Sequence, residues 1–234
     1  MSSALIQVKK NLELSKIRSF LLRIAVICAG IGINLLGFMM PASAHHAMGG
    51  MLPENAFEGF ISGLAHPVIG VDHLAFVVAI GLLAATTVQG IMIPVGFVLA
   101  SMLGTALHLM QLPVPGIELF VSASLVLFGI LLAMKNTPNR LIVTGLATLA
   151  GLFHGYAYGE AIFGAQMTQV VAYLAGFSVI QVLIAMAAFF VGKTILKKSS
   201  KEEPTLTLRF AGFVICGAGA AFLTSEIVAA ILPV

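Results

Sequence analysis

His66-Pro67-Val68-Ile69-Gly70-Val71-Asp72-His73 opens an apolar run that continues to about position 87. About twenty apolar residues cross the hydrocarbon of a bilayer as one helix, so this run reads as a membrane span. Two imidazoles and a carboxylate at its mouth are unfavourable in hydrocarbon, where an unpaired polar group loses several kcal/mol, so a bound partner is expected. Imidazole and carboxylate together form a ligand set for a borderline divalent metal, which makes a metal ion the expected partner.

Helical geometry sharpens this expectation. Pro67 suits the first turn of a helix, where its missing N–H has no acceptor, and His66 then takes the N-cap position. Seven residues is close to two turns at about 3.6 residues per turn, so His66, Gly70 and His73 are expected on one face, with Asp72 about 100° round from His73. Gly70 leaves room between the imidazoles. A plainer role stays open for each histidine, since one can cap the helix and the other can hydrogen-bond a neighbouring helix.

Of 234 residues, 59% are hydrophobic and 9% charged, and the mean hydropathy is +1.08. A soluble domain carries about 25% charged residues, so the expected fold class is an all-α polytopic membrane protein. Six segments are apolar enough to be read as transmembrane helices, at about 67–87, 91–110, 117–134, 140–158, 167–192 and 208–232. The expected organisation is a signal peptide at 1–44, an outer segment at 45–66, and a six-helix transmembrane domain at 67–234 with an inner loop at 193–209.

Five of the twelve bases (Lys9, Lys10, Lys16, Arg18 and Arg23) precede an apolar run at 24–40, which ends in Pro41-Ala42-Ser43-Ala44. That order is the basic, apolar and small-residue pattern of a secretory signal peptide. Cleavage after Ala44 and retention of the run as an anchor both put position 45 outside. Without those five bases and Glu13, seven bases face eight acids, so the net charge of +3 becomes −1 and a nucleic-acid partner has no support. Cys28 falls in the leader and leaves Cys216 alone, which excludes an intrachain disulfide or a CxxC site. His45-His46 reads either as a capture site for Cu, Ni or Co ions or as an accident of the cleavage site.

The positive-inside rule gives the orientation. With the mature N-terminus outside, Lys135, Arg140, Lys193, Lys197, Lys198, Lys201 and Arg209 all lie in or beside inner loops. Glu54, Glu58, Asp72, Glu118, Glu160 and Glu226 lie in outer segments or spans, so the outer face is acidic and attracts cations. Small residues at four-residue spacing, Gly96-Ala100-Gly104 and Ala147-Gly151-Gly155-Gly159, mark faces where helices approach closely. His108 continues the first row and is expected to point into the bundle, while His154 borders the second.

His108, Glu118 and the run Phe153-His154-Gly155-Tyr156-Ala157-Tyr158-Gly159-Glu160 share the outer depth of His66, Asp72 and His73. Each could also be an interfacial residue touching headgroups. Gly192-Lys193-Thr194 resembles the end of a phosphate-binding loop, but its surroundings are membrane-apolar and Ala187 replaces the required glycine, so no nucleotide partner is expected. There is no HExxH and no nucleophile with a paired base, and no enzyme activity is expected.

His66-Pro-x-x-Gly70-x-Asp72-His73 before an apolar span resembles the signature of the HupE/UreJ family of bacterial nickel and cobalt permeases. The resemblance continues through Leu112-Pro113 to Glu118, through Ser124 and Gly129, and through His154-Gly155-Tyr156-Ala157. It implies a secondary permease of the bacterial plasma (inner) membrane, with Ni²⁺ or Co²⁺ as the transported substrate and no tightly bound cofactor. It further implies that His66, Asp72 and His73 are metal ligands or selectivity residues, with Glu118 and His154 assisting. The chain departs from the pattern at Tyr158, where a second histidine is expected, so that His108 or Glu118 would stand in. The lipid bilayer is the other expected partner, and homo-oligomeric assembly is left open. The alternative is a b-type haem-binding membrane protein with His73, His108 and His154 as axial ligands.

Overall fold

The computed structural model describes residues 51–136, 138–198 and 204–232. Among them are seven helices and no strand: α1 (Ala56–Ile69), α2 (Val71–Thr86), α3 (Met92–Leu109), α4 (Ile117–Ala133), α5 (Arg140–Glu160), α6 (Met167–Lys198) and α7 (Pro204–Ile231). The leader expected at 1–44 and the His45-His46 segment lie outside the described residues.

Helices α3, α5, α6 and α7 are each long and apolar enough to cross a membrane, and α1 with α2 meets that test as a pair bent by 79°. Helix α4 is apolar but has only 17 residues. At about 1.5 Å per residue it is some 25 Å long, against about 30 Å of hydrocarbon.

The first span does not begin where the sequence suggested. Asn55 caps α1, its side chain accepting from the Glu58 N–H at 3.0 Å, and the Glu58 carboxylate accepts in return from the Glu54 N–H at 2.8 Å. A side-chain oxygen at that position satisfies an orphan donor of the first turn, which makes Asn55 a strong helix start. His66 is therefore not the N-cap; it lies in the last turn of α1, with Pro67 also inside the helix. Pro67 removes the bond to the Gly63 carbonyl and weakens the helix, and at Gly70 the backbone turns extended (φ −70, ψ 95) before α2 starts. His66, Gly70 and His73 therefore share no single helical face. The two imidazoles still meet, their ring centroids 5.8 Å apart across the bend.

Helix α2 is the axis of the bundle, with Phe76, Val77, Ala79, Ile80, Leu83 and Ala84 fully inaccessible. Around it α1 packs on α6, α3 on α5, and α4 on α7. The two small-residue rows read from the sequence face each other across the α3–α5 seam. A Cβ at Gly104 would stand 2.1 Å from the Leu152 carbonyl oxygen, and one at Gly155 only 1.9 Å from that of Ser101. Thr105 Oγ1 crosses the same seam to donate to the Gly155 carbonyl at 2.7 Å. The outer surface is apolar along its length, with Leu99, Leu183 and Phe190 about 60% exposed, as expected of helices solvated by lipid. At the end where α2, α4 and α6 finish, Lys135, Arg140 and Arg209 line a cavity of about 670 Å³.

Candidate functional site

Asp72 and His73 occupy the first turn of α2, and Asp72 Oδ1 accepts from the His73 backbone N–H at 2.8 Å. A carboxylate there satisfies an orphan donor and faces the positive end of the helix dipole. Gly70 is needed beside them, because a Cβ on it would fall 2.6 Å from His73 Cδ2 and 3.3 Å from Asp72 Oδ1.

The ring nitrogens of His73 and His154 are in contact, Nδ1 to Nδ1 at 2.9 Å, and His154 Nε2 stands 2.9 Å from Ser124 Oγ. Ser124 Oγ donates its one proton to the Val121 carbonyl at 2.7 Å. With that proton spent, the network assigns the rest: His154 Nε2–H donates to Ser124 Oγ, His154 Nδ1 is bare, and His73 Nδ1–H donates to it.

His66 is held in the same manner by another helix. Its Nδ1 stands 3.0 Å from Tyr173 Oη, and Tyr173 Oη donates its proton to the Tyr158 carbonyl at 3.0 Å. That carbonyl lies in the last turn of α5, where no intrahelical donor remains for it. Tyr173 Oη can then only accept from His66, so His66 also carries a proton on Nδ1. Both buried imidazoles are thus oriented by a hydrogen bond at Nδ1, as metal-ligating histidines commonly are by an outer partner. Their ring centroids lie 5.8 Å apart.

Aromatic rings surround the pair. Tyr158 packs edge-on against His73 and His66, with centroids at 4.5 and 5.0 Å. Behind His154 lie Phe76 at 4.3 Å and Phe97 at 5.5 Å, and Phe76 in turn meets Phe128 at 4.8 Å. All three phenylalanines are fully buried, so the bundle is closed on that side of the histidines.

Of the six residues singled out from the sequence, the fold brings His66, Asp72, His73 and His154 together. Glu118, in the first turn of α4, is half-buried and within electrostatic range of Asp72, Glu160 and Glu226. His108 lies on the α3–α5 seam as expected, but its ring partners are Tyr156 at 4.6 Å and Phe163 at 5.8 Å. Among the described residues, no three His, Cys, Asp or Glu side chains group tightly enough to hold a metal unaided. Both nitrogens of His154 are engaged with His73 and Ser124. A haem held axially by His73 and His154 would need its macrocycle between two rings that are already in hydrogen-bond contact.

Sequence reasoning did not select Tyr173, which holds His66, and saw Tyr158 only as a departure from a pattern. A tyrosine near the outer end of an apolar segment reads as an interfacial anchor. Only the pairing of α6 with α1 distinguishes it.

The fold and site define a helical membrane protein built around a buried cluster of imidazole and carboxylate groups. The family model described as HupE / UreJ protein matches residues 33–222, and the chain belongs to that family. It is 27% identical over 198 residues to Protein HupE of Rhizobium leguminosarum bv. viciae, a match covering 82% of this chain and 96% of the relative. No solved structure matches the chain.

Proposed function

We propose that the chain is a secondary permease that takes up Ni²⁺ or Co²⁺ across the bacterial plasma membrane, with the mature N-terminus outside. In this reading the bent pair α1–α2 serves as the first of six spans, followed by α3 to α7. The hydrated ion is drawn to the acidic outer end, where it exchanges waters for the imidazoles of His66 and His73. Asp72 offsets part of its charge. Helices broken at a binding site are a recurrent device of secondary transporters.

The observation that carries this reading is the meeting of His66, Asp72, His73 and His154 at the α1–α2 bend, with His66 tied to Tyr173 and His73 to His154. Two imidazoles with a carboxylate nearby make an incomplete protein ligand set that binds moderately, which suits an ion that has to leave again. Passage beyond the site then requires the Phe76, Phe97 and Phe128 rings to part.

The test is the cellular Ni and Co content by elemental mass spectrometry. Cells expressing the chain are compared with cells expressing His73→Ala at equal membrane abundance and with empty-vector cells. Accumulation that depends on His73 is expected, and the accumulated ion names the substrate. Equal content in all three overturns the reading.

A further inference from the structure

The hydroxyl of Tyr158 has no role in the hydrogen bonds described above. Tyr158 is fully buried, and among the described residues its Oη has no hydrogen-bond partner. A buried hydroxyl without a partner is unfavourable, and native structures keep few of them without a reason. The ring lies against His66 and His73, and Oη is within electrostatic range of the Asp72 carboxylate and the Tyr173 hydroxyl. Tyr173, by contrast, is fully engaged, accepting from His66 and donating to the Tyr158 carbonyl. The ring that carries the unpaired hydroxyl therefore lies against both imidazoles.

We propose that Tyr158 Oη accepts a hydrogen bond from a water molecule that the transported ion retains, so that Tyr158 is a specificity residue for a partly hydrated divalent ion. This rests on the reading of the site as a metal passage. Two imidazoles leave an ion of six-coordinate habit with most of its waters still bound. A water on a divalent cation has its lone pair on the metal and donates strongly through its O–H bonds, so its fitting partner is an oxygen acceptor. Phenol supplies that acceptor without adding charge. An ion that sheds its waters for a closed four-coordinate site gains nothing from it.

Tyr158→Phe keeps the ring and removes the acceptor, which separates packing from recognition. The full chain is purified in detergent, and its thermal unfolding is followed with chelator, with nickel chloride and with cobalt chloride. The wild type is expected to be stabilised by at least one of the two salts. In Tyr158→Phe the metal-free midpoint is expected to stay equal or rise by about 2–4 °C, because an unpaired hydroxyl is removed. Its Kd for the same ion is expected to be about three- to tenfold weaker, the size of one lost hydrogen bond. An unchanged Kd overturns the role of Tyr158 while leaving the metal reading intact. A lowered metal-free midpoint makes Tyr158 a packing residue and overturns it as well. A wild type that responds to neither salt overturns the metal reading, and this inference with it.

Discussion

The Nδ1 atoms of His73 and His154 stand 2.9 Å apart, although 81 residues separate them in the chain. Two ring nitrogens at that distance share one proton, so at least one of the two imidazoles is neutral. Ser124 decides the direction by spending its own proton on Val121. His154 therefore fixes how His73 faces the site.

Replacing His154 tests that relationship. His154→Ala removes the acceptor for His73 Nδ1–H, and loss of such an orienting partner weakens metal affinity by about 10–100-fold. His154→Gln keeps an acceptor on α5 and is expected to recover part of the loss. Ni²⁺ affinity of the purified variants, measured by isothermal titration, distinguishes the two; equal affinities in wild type and His154→Ala would exclude an orienting role.

Tyr173→Phe acts on the other imidazole. It leaves His66 Nδ1–H without its acceptor and the Tyr158 carbonyl without its donor, both in buried positions. A decrease in stability of about 1–3 kcal/mol is expected for each group so stranded, together with a raised KM for uptake. Tyr173→Phe should therefore lower the metal-free unfolding midpoint while Tyr158→Phe leaves it equal or raises it, which one melting series records.

Gly70→Ala places a methyl 2.6 Å from His73 Cδ2. Carbon atoms do not approach that closely, so the imidazole has to rotate away from His154. The variant is expected to reach the membrane at near-normal abundance with uptake reduced at least tenfold, a loss of over about 1.4 kcal/mol at the site. Normal uptake at matched abundance would mean that His73 does not need its observed orientation.

Uptake is expected to depend on external pH through the histidines. A proton and a metal ion compete for the same imidazole lone pair, so the ligating form is lost as pH falls. Initial rates should therefore fall between about pH 7.5 and about pH 5.5. A flat profile over that interval would argue against imidazole ligands.

The sequence by itself determined the class of protein and the ingredients of the site. Long apolar segments with so few charges admit only helices in a bilayer, because every backbone group must be satisfied within its own segment. The rows around Gly104 and Gly155 announced a close seam, since small residues at a helical spacing leave a groove for another backbone. His66, Asp72 and His73 were legible together because eight residues cannot carry them far apart. The tertiary structure alone decided that α1 continues through Pro67 and breaks at Gly70, because a proline at a helix start and one in its last turn look alike locally. It also decided that His154 holds His73 and that Tyr173 holds His66, pairs separated by 81 and 107 residues. Local periodicity reports which face of a helix is apolar or small, but the partner that covers that face is chosen by packing of the whole bundle.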